Sequence, residues 1–371
     1  MPSNSTEHGV HHKLRCANYG NGATGGRWMS GRRFRGHAIV LAVALVLMTV
    51  APGFAAALPG PSGPRGEDRN ESYTSAEGVL RYQVHLPPPR PEGSTGAPPA
   101  VVVAIHGCAM TGFGLNSMKD TTRLDDLADR EGFIVVYPTQ SVLRNPQLCW
   151  NSLSPEHQHR GRGEPELIAG AVRQVVATHH ADGDRVHALG VSSGAGTAVI
   201  LGVTYPDLFA TVTSVAGGEY GFRREFAEEP VPPSPAETAV PARAEMGPRA
   251  RQVPLLVVQG DQDTTVPPVM AERLVQQWLA LGELIEGRIP DASTPVRPDT
   301  AVHSTPPDGH AFETDTYRRP TTPGLVVQRV LIHGQGHAWS GPRSTGLFVD
   351  RRGPDLAAVM WDFVSERRLS G

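Results

Sequence analysis

Residues 100–105 read AVVVAI, six apolar residues with no polar alternation. A strand with one wet face alternates apolar and polar side chains. An unbroken apolar run this short belongs to a strand buried on both faces. Further strands are expected over 133–137, 185–190, 210–215, 255–259 and 325–332. Between them lie stretches with helical spacing. Residues 164–178 put Leu167, Ile168, Ala171, Val172, Val175 and Val176 on one face, and 271–281 turn Leu274, Val275 and Trp278 inward. Helices are also expected over 124–131, 195–204 and 355–367, and a half-exposed strand over 79–86, where VLRYQVHL alternates. Alternating strands and doubly covered sheet positions predict an α/β fold, a mostly parallel sheet with helices on both faces.

Two segments interrupt this pattern. Residues 228–252 carry six prolines and residues 287–323 carry seven. Proline removes a backbone donor and fixes φ, so both are expected to be surface loops rather than helix or central strand. Residues 58–78 are polar and Gly/Pro-rich at their start, and are expected to be a flexible lead-in to a single domain at 79–371.

The first 57 residues differ from the rest. They hold six Lys/Arg and one acid, which leaves 28 basic and 36 acidic residues, a balance of −8, in the remainder. That acidic body lacks the basic face a nucleic-acid partner requires. Residues 38–51 read AIVLAVALVLMTVA, an apolar run too short to span a bilayer comfortably. Arg27, Arg32, Arg33 and Arg35 precede it and Ala55-Ala56-Ala57 follows. Basic, apolar and small-residue regions in this order read as a secretory signal, cut near Ala57. Cleavage would leave a secreted protein with no stable membrane anchor; an uncleaved N-terminal anchor is the alternative. A start at Met29 would bring the leader to ordinary length. Gly20, Gly22 and Gly25 have dinucleotide-loop spacing but no strand before them and no helix after, and belong to the leader.

Cysteine is scarce: Cys16 in the leader, Cys108 and Cys149 in the body. No Cys or His cluster has zinc spacing. His157 and His159 lie in a polar loop, so neither a metal nor a cofactor is expected. Cys108 and Cys149 could pair in an oxidising compartment.

Gly190-Val191-Ser192-Ser193-Gly194 is G-x-S-x-G, set between the strand RVHALG and the apolar helix AGTAVILGV. A sharp strand-to-helix turn exposes Ser192 as a nucleophile, and flanking glycines avoid collision with neighbouring backbone. Ser193 is the rival hydroxyl but lacks the glycine register. A serine needs a base and the base needs a carboxylate, in the chain order Ser, acid, His. Asp263 follows the strand PLLVVQG and is chosen as the acid, with Asp261 as alternate. His337 lies on the glycine-rich loop after VVQRVLI and is chosen as the base; His333, at the strand end, reads as structural. Two backbone N–H groups should face the developing oxyanion. Ser193, at the helix start, would supply one. Cys108, in the His106-Gly107-Cys108 turn after AVVVAI, would supply the other, with His106 bracing the loop.

Together AVVVAIHGCAMTG, CWN at 149–151, the GVSSG segment, QGDQDTTVPP and GQGHAWSG resemble the poly(3-hydroxybutyrate) depolymerase-like and feruloyl-esterase-like branch of the α/β-hydrolases. The matching segments run from about residue 80 to 366. The resemblance implies an α/β-hydrolase fold, a Ser192, Asp263 and His337 triad, and a disulfide between Cys108 and Cys149 beside the oxyanion loop. It implies a carboxylic-ester hydrolase acting on small esters, polyester oligomers or polysaccharide-linked acyl groups such as feruloyl and acetyl. Ser193 departs from the alanine the family often has after the nucleophile, and the backbone donor survives. A serine peptidase on the same fold and a non-catalytic binding protein are the rival readings.

Overall fold

The computed structural model describes residues 65–89, 96–222, 232–290, 296–318 and 326–369. The expected signal segment at 1–57 lies outside the described residues, as do 58–64 of the lead-in and 223–231, 291–295 and 319–325 of the Pro-rich segments. Ten strands form one sheet: β1 (Glu67–Ser75), β2 (Gly78–Leu86), β3 (Val101–Ile105), β4 (Ile134–Thr139), β5 (Val186–Val191), β6 (Thr211–Val215), β7 (Leu255–Gly260), β8 (Thr300–Ser304), β9 (Phe312–Arg318) and β10 (Val326–Ile332). Their order is β1-β2-β4-β3-β5-β6-β7-β10-β9-β8. The six central strands, β4 through β10 in that order, run parallel. Antiparallel strands extend both edges. A separate short pair joins β11 (Trp339–Ser340) to β12 (Val349–Asp350).

Helices cover both faces: α1 (Met118–Thr122), α2 (Leu124–Glu131), α3 (Gly163–Thr178), α4 (Ser193–Thr204), α5 (Pro235–Met246), α6 (Val269–Ile285) and α7 (Leu356–Val364). β3 shows why its run is unbroken. Val101, Val103 and Ile105 enter a core shared with Leu167, Val199 and Trp278 of α3, α4 and α6. Val102 and Ala104 enter a second core with Leu127, Met360 and Phe363 of α2 and α7. All five β3 residues are buried, as period-two alternation between two covered faces requires. No helix among the described residues is long and apolar enough to cross a membrane.

Three expectations are corrected. The lead-in at 58–78 contains β1, so the sheet begins at Glu67 and not at residue 79. β1 reads EDRNESYTS and lies exposed at the edge, so it lacks the apolar alternation that marks a half-buried strand. The segment 228–252 contains α5. Ser234 caps it in a reciprocal box with Glu237, and Pro235 occupies the first turn, where no donor is needed. Pro241 alone falls inside the helix, while Ala239, Ala242 and Met246 bury one side against α6. The segment 287–323 contains β8 and β9, an antiparallel pair whose neighbouring prolines fall outside the strands.

β1 is secured through α3. Tyr73 O–H donates to Glu166 Oε1 (3.1 Å) and Ser75 O–H donates to Glu166 Oε2 (2.6 Å). The Tyr73 ring lies over Gly170, where a Cβ would come within 2.1 Å of Tyr73 Cζ. Alanine is the better helix former by about 1 kcal/mol. Overpacking against the ring opposes that gain with about 1–3 kcal/mol. Gly170→Ala should therefore lower the urea midpoint of unfolding, and adding Tyr73→Ala should restore part of the loss.

Candidate active site

Ser192 sits between β5 and α4 with φ 55° and ψ −121°. That left-handed φ is strained for a residue with a Cβ, and only surrounding packing holds it. Gly190 and Gly194 supply the space. A Cβ on Gly190 would lie 2.0 Å from Gly194 O, and one on Gly194 would lie 2.3 Å from Ile105 O and 2.4 Å from His106 O. The α4 start is thus pressed onto the end of β3. Gly107 in turn lies against the serine, 3.2 Å separating its Cβ position from Ser192 Cβ.

His337 comes from the loop after β10 and reaches both Ser192 and Asp263. The Asp263 carboxylate only accepts, so Nδ1–H of His337 donates to Asp263 Oδ2 (2.7 Å). Nε2 then carries the lone pair and accepts the Ser192 hydroxyl (3.0 Å). Asp263 is buried and held on both oxygens: Oδ1 accepts the Thr265 and Val266 N–H groups (2.9 Å each), and Oδ2 also accepts Gln259 Nε2–H (3.2 Å). Burial pushes the Asp263 carboxyl up; the bonds from His337 and the two backbone N–H groups outweigh it and hold the pKa below the ordinary carboxylate value.

The alternates pair with each other. Asp261 Oδ2 lies 3.0 Å from His333 Nδ1, and its Oδ1 accepts Gly334 N–H (2.7 Å). Asp261 N–H donates to Ile332 O (3.0 Å) and Gln262 N–H to Gln335 O (3.0 Å), so the acid loop and the base loop are stitched together. The choice between the two acids is therefore geometric: Asp263, not Asp261, faces His337.

The expected oxyanion donors are Ser193 N–H at the start of α4 and Cys108 N–H in the loop after β3. Neither N–H has a protein acceptor among the described residues. A disulfide joins Cys108 to Cys149 across 41 positions, and Ala109 N–H donates to Gln147 O (2.9 Å) beside it. His106 is fully buried. Its Nδ1–H donates to Gly107 O (2.7 Å) and its Nε2 accepts Gln140 N–H (3.0 Å). Burial pushes its pKa down to about 4, so it is a neutral brace.

Sequence reading missed Gln259, Gln140 and Glu164. Gln259 had a signal, a polar residue closing the apolar run PLLVV immediately before the acid loop. His157 and His159 do not form a joint site: His157 Nδ1 accepts Glu164 N–H (3.1 Å), while His159 pairs with Glu245 (2.8 Å). Among the described residues one group, Asp68, His85 and Asp125, brings three ligand-type atoms within 4.8 Å. Lys119 Nζ already sits 2.5 Å from Asp68 and 2.7 Å from Asp125, so that group carries its own cation.

The family model for esterase PHB depolymerase matches residues 80–297, which include Cys108, Cys149, Ser192 and Asp263 but not His337. Poly(3-hydroxyalkanoate) depolymerase C of Paucimonas lemoignei is 30% identical over 217 residues, 56% of this chain and 50% of that protein. Feruloyl esterase B of Thermothelomyces thermophilus is 30% identical over 194 residues, 48% of this chain and 64% of that protein. The match therefore spans half to just under two thirds of these curated relatives. The solved acetyl xylan esterase from Aspergillus awamori has the same fold, with a TM-score of 0.55 and 24% identity over 72% of this chain and 94% of that one. The parallel sheet, the strained serine turn and the family match over more than half its length agree: the chain belongs to the PHB depolymerase family of α/β-hydrolase esterases.

Proposed function

We propose that the protein is a secreted carboxylic-ester hydrolase using Ser192, His337 and Asp263. The observation that carries this is the unbroken hydrogen-bonded line from Asp263 through His337 to the Ser192 hydroxyl, beside two backbone N–H groups that have no acceptor among the described residues. His337 Nε2 takes the hydroxyl proton as Ser192 Oγ attacks the ester carbonyl. The carbonyl oxygen becomes an oxyanion, held by Ser193 and Cys108 N–H. His337 returns the proton to the departing alcohol. Water then repeats the sequence on the acyl-enzyme and frees the acid. Asp263 keeps the imidazole in the tautomer that receives the proton and stabilises the imidazolium. The substrates are small esters, polyester oligomers or acyl groups carried on polysaccharide; the names of the relatives, a poly(3-hydroxyalkanoate) depolymerase, feruloyl esterases and acetylxylan esterases, support the last two classes.

The basic-apolar-small leader supports export, and the disulfide suits an oxidising compartment. The domain whose sheet begins with β1 at Glu67 would then act as the catalytic unit.

Ser192→Ala should abolish p-nitrophenyl acetate hydrolysis while the circular dichroism spectrum and melting temperature stay close to the parent's. Activity retained in that variant refutes the assignment.

Asp263→Asn should lower kcat by about 10⁴-fold, because an amide can no longer select the Nδ1–H tautomer. It should also change acid stability. Asp263 has a depressed folded pKa, so its contribution is present above the ordinary carboxylate value and lost as pH falls through the depressed one. Melting temperature plotted against pH should thus show a weaker acid limb in the variant.

Replacing Cys108 and Cys149 together by serine removes a 41-residue closure. Chain entropy alone predicts a loss of about 4 kcal/mol. The melting temperature should fall, and kcat should fall with it at temperatures where the variant is still folded.

A further inference from the structure

Glu164 is a buried acid to which the reaction above gives no task. It is the second residue of α3, and its side chain is 2% exposed. Among the described residues the basic group within 4.0 Å of its carboxylate is His157, with Nδ1 at 3.9 Å. That nitrogen already accepts the Glu164 backbone N–H (3.1 Å), so it has no proton to offer. A buried carboxylate without a cation is costly unless hydrogen bonds replace its hydration. Here three donors converge on it. Oε2 accepts Asn151 N–H (2.7 Å), and Oε1 accepts Asn151 Nδ2–H (2.7 Å) and Gln140 Nε2–H (2.5 Å). The α3 N-terminus adds a favourable dipole. Only an acceptor-only group suits these partners, because a glutamine would turn its own N–H₂ on one of them.

All three donors belong to the segment that carries the disulfide partner. Asn151 follows Trp150, whose N–H donates to Ser193 Oγ (3.3 Å), and Cys149, which is bonded to Cys108. Gln140 Nε2 also donates to Cys149 O (3.0 Å). Gln140 backbone N–H fixes His106 Nε2 (3.0 Å), and His106 Nδ1–H fixes Gly107 O (2.7 Å). The Gly107 carbonyl and the Cys108 N–H are two ends of one trans peptide. Holding the oxygen aims the hydrogen the other way.

We infer that Glu164 is a positioning residue for the oxyanion donors, acting through Asn151 and Gln140 on the Cys108 and Ser193 ends of the site. The inference rests on the ester-hydrolase reading of Ser192. It assigns Glu164 no contact with substrate.

The test is Glu164→Gln, which keeps the volume and turns one of the two acceptor oxygens into a donor. Hydrogen–deuterium exchange should rise at peptides covering 106–110 and 147–151 and stay unchanged at 331–339, which carries His337. On p-nitrophenyl acetate, kcat should fall about tenfold or more, less than the 10²–10³ of a donor removed outright. KM should stay within about twofold, since a ground-state carbonyl leans little on these donors. The pH profile of kcat should keep its midpoint, because the Asp263–His337 pair is untouched. If Glu164→Gln does not fold, Gln140→Met removes one arm at similar volume and should move the same readouts less. Exchange at 106–110 equal to the parent's overturns the inference, whatever the activity. So does raised exchange with an unchanged kcat, which would make the network structural only. A parent protein that lacks esterase activity while the variant still loosens 106–110 would sink the ester reading and leave the network standing.

Discussion

The carbonyls of Ile105 and His106 pass within 2.3 and 2.4 Å of where a Cβ on Gly194 would stand. Two backbones can come this close only where a side chain is missing, and the site is assembled from that approach. It brings the end of β3 against the start of α4. The Ser193 N–H opens α4 and the Cys108 N–H lies in the loop just after β3, so the packing brings together the two segments that carry them. The same contact helps hold Ser192 at φ 55°, at the end of the central strand β5. Strain at one residue is thus sustained by close packing among several others.

The Asp263 and His337 side chains are brought to Ser192 by a different device. Asp263 and His337 lie on loops after neighbouring parallel strands, β7 and β10. Asp261, His333 and the backbone pairs at Gln262 and Gln335 tie the loops before either functional side chain is reached. A partly exposed Asp–His pair contributes little to global stability. Its value is local, keeping the two loops in register over a short distance. The site therefore has one half fixed by burial and disulfide and another fixed by hydrogen bonds between adjacent turns.

Much of this was legible from residue order. Unbroken apolar runs announced the parallel strands, because a doubly covered strand leaves no room for polar alternation. Helix 124–131 and the spans of β2, β5, β7 and β10 lie within a residue or two of their expected bounds. G-x-S-x-G, the aspartate after a strand and the GQGH loop pointed to the residues that meet in space. Other features left weaker marks. α5 was hidden by counting prolines, when what matters is where they fall relative to the first turn. The Glu164 network was invisible because its partners, Gln140 and Asn151, lie on a loop with no periodicity, and polar residues there look like solvent. The pairing of Asp261 with His333 needed the register of β7 against β10, which no local pattern states.

β1 was overlooked for its polarity, and that polarity has a use. An edge strand presents unpaired N–H and C=O groups that can template pairing with a second chain. Here the edge strand carries Glu67, Asp68, Arg69 and Glu71, all outside the buried core. Two copies meeting along this edge would strip these charges of water, and three of the four are of one sign. The sequence that conceals the strand from pattern reading also disfavours self-pairing of the ten-stranded sheet, so the edge nearest the N-terminus carries its protection against aggregation in its own composition.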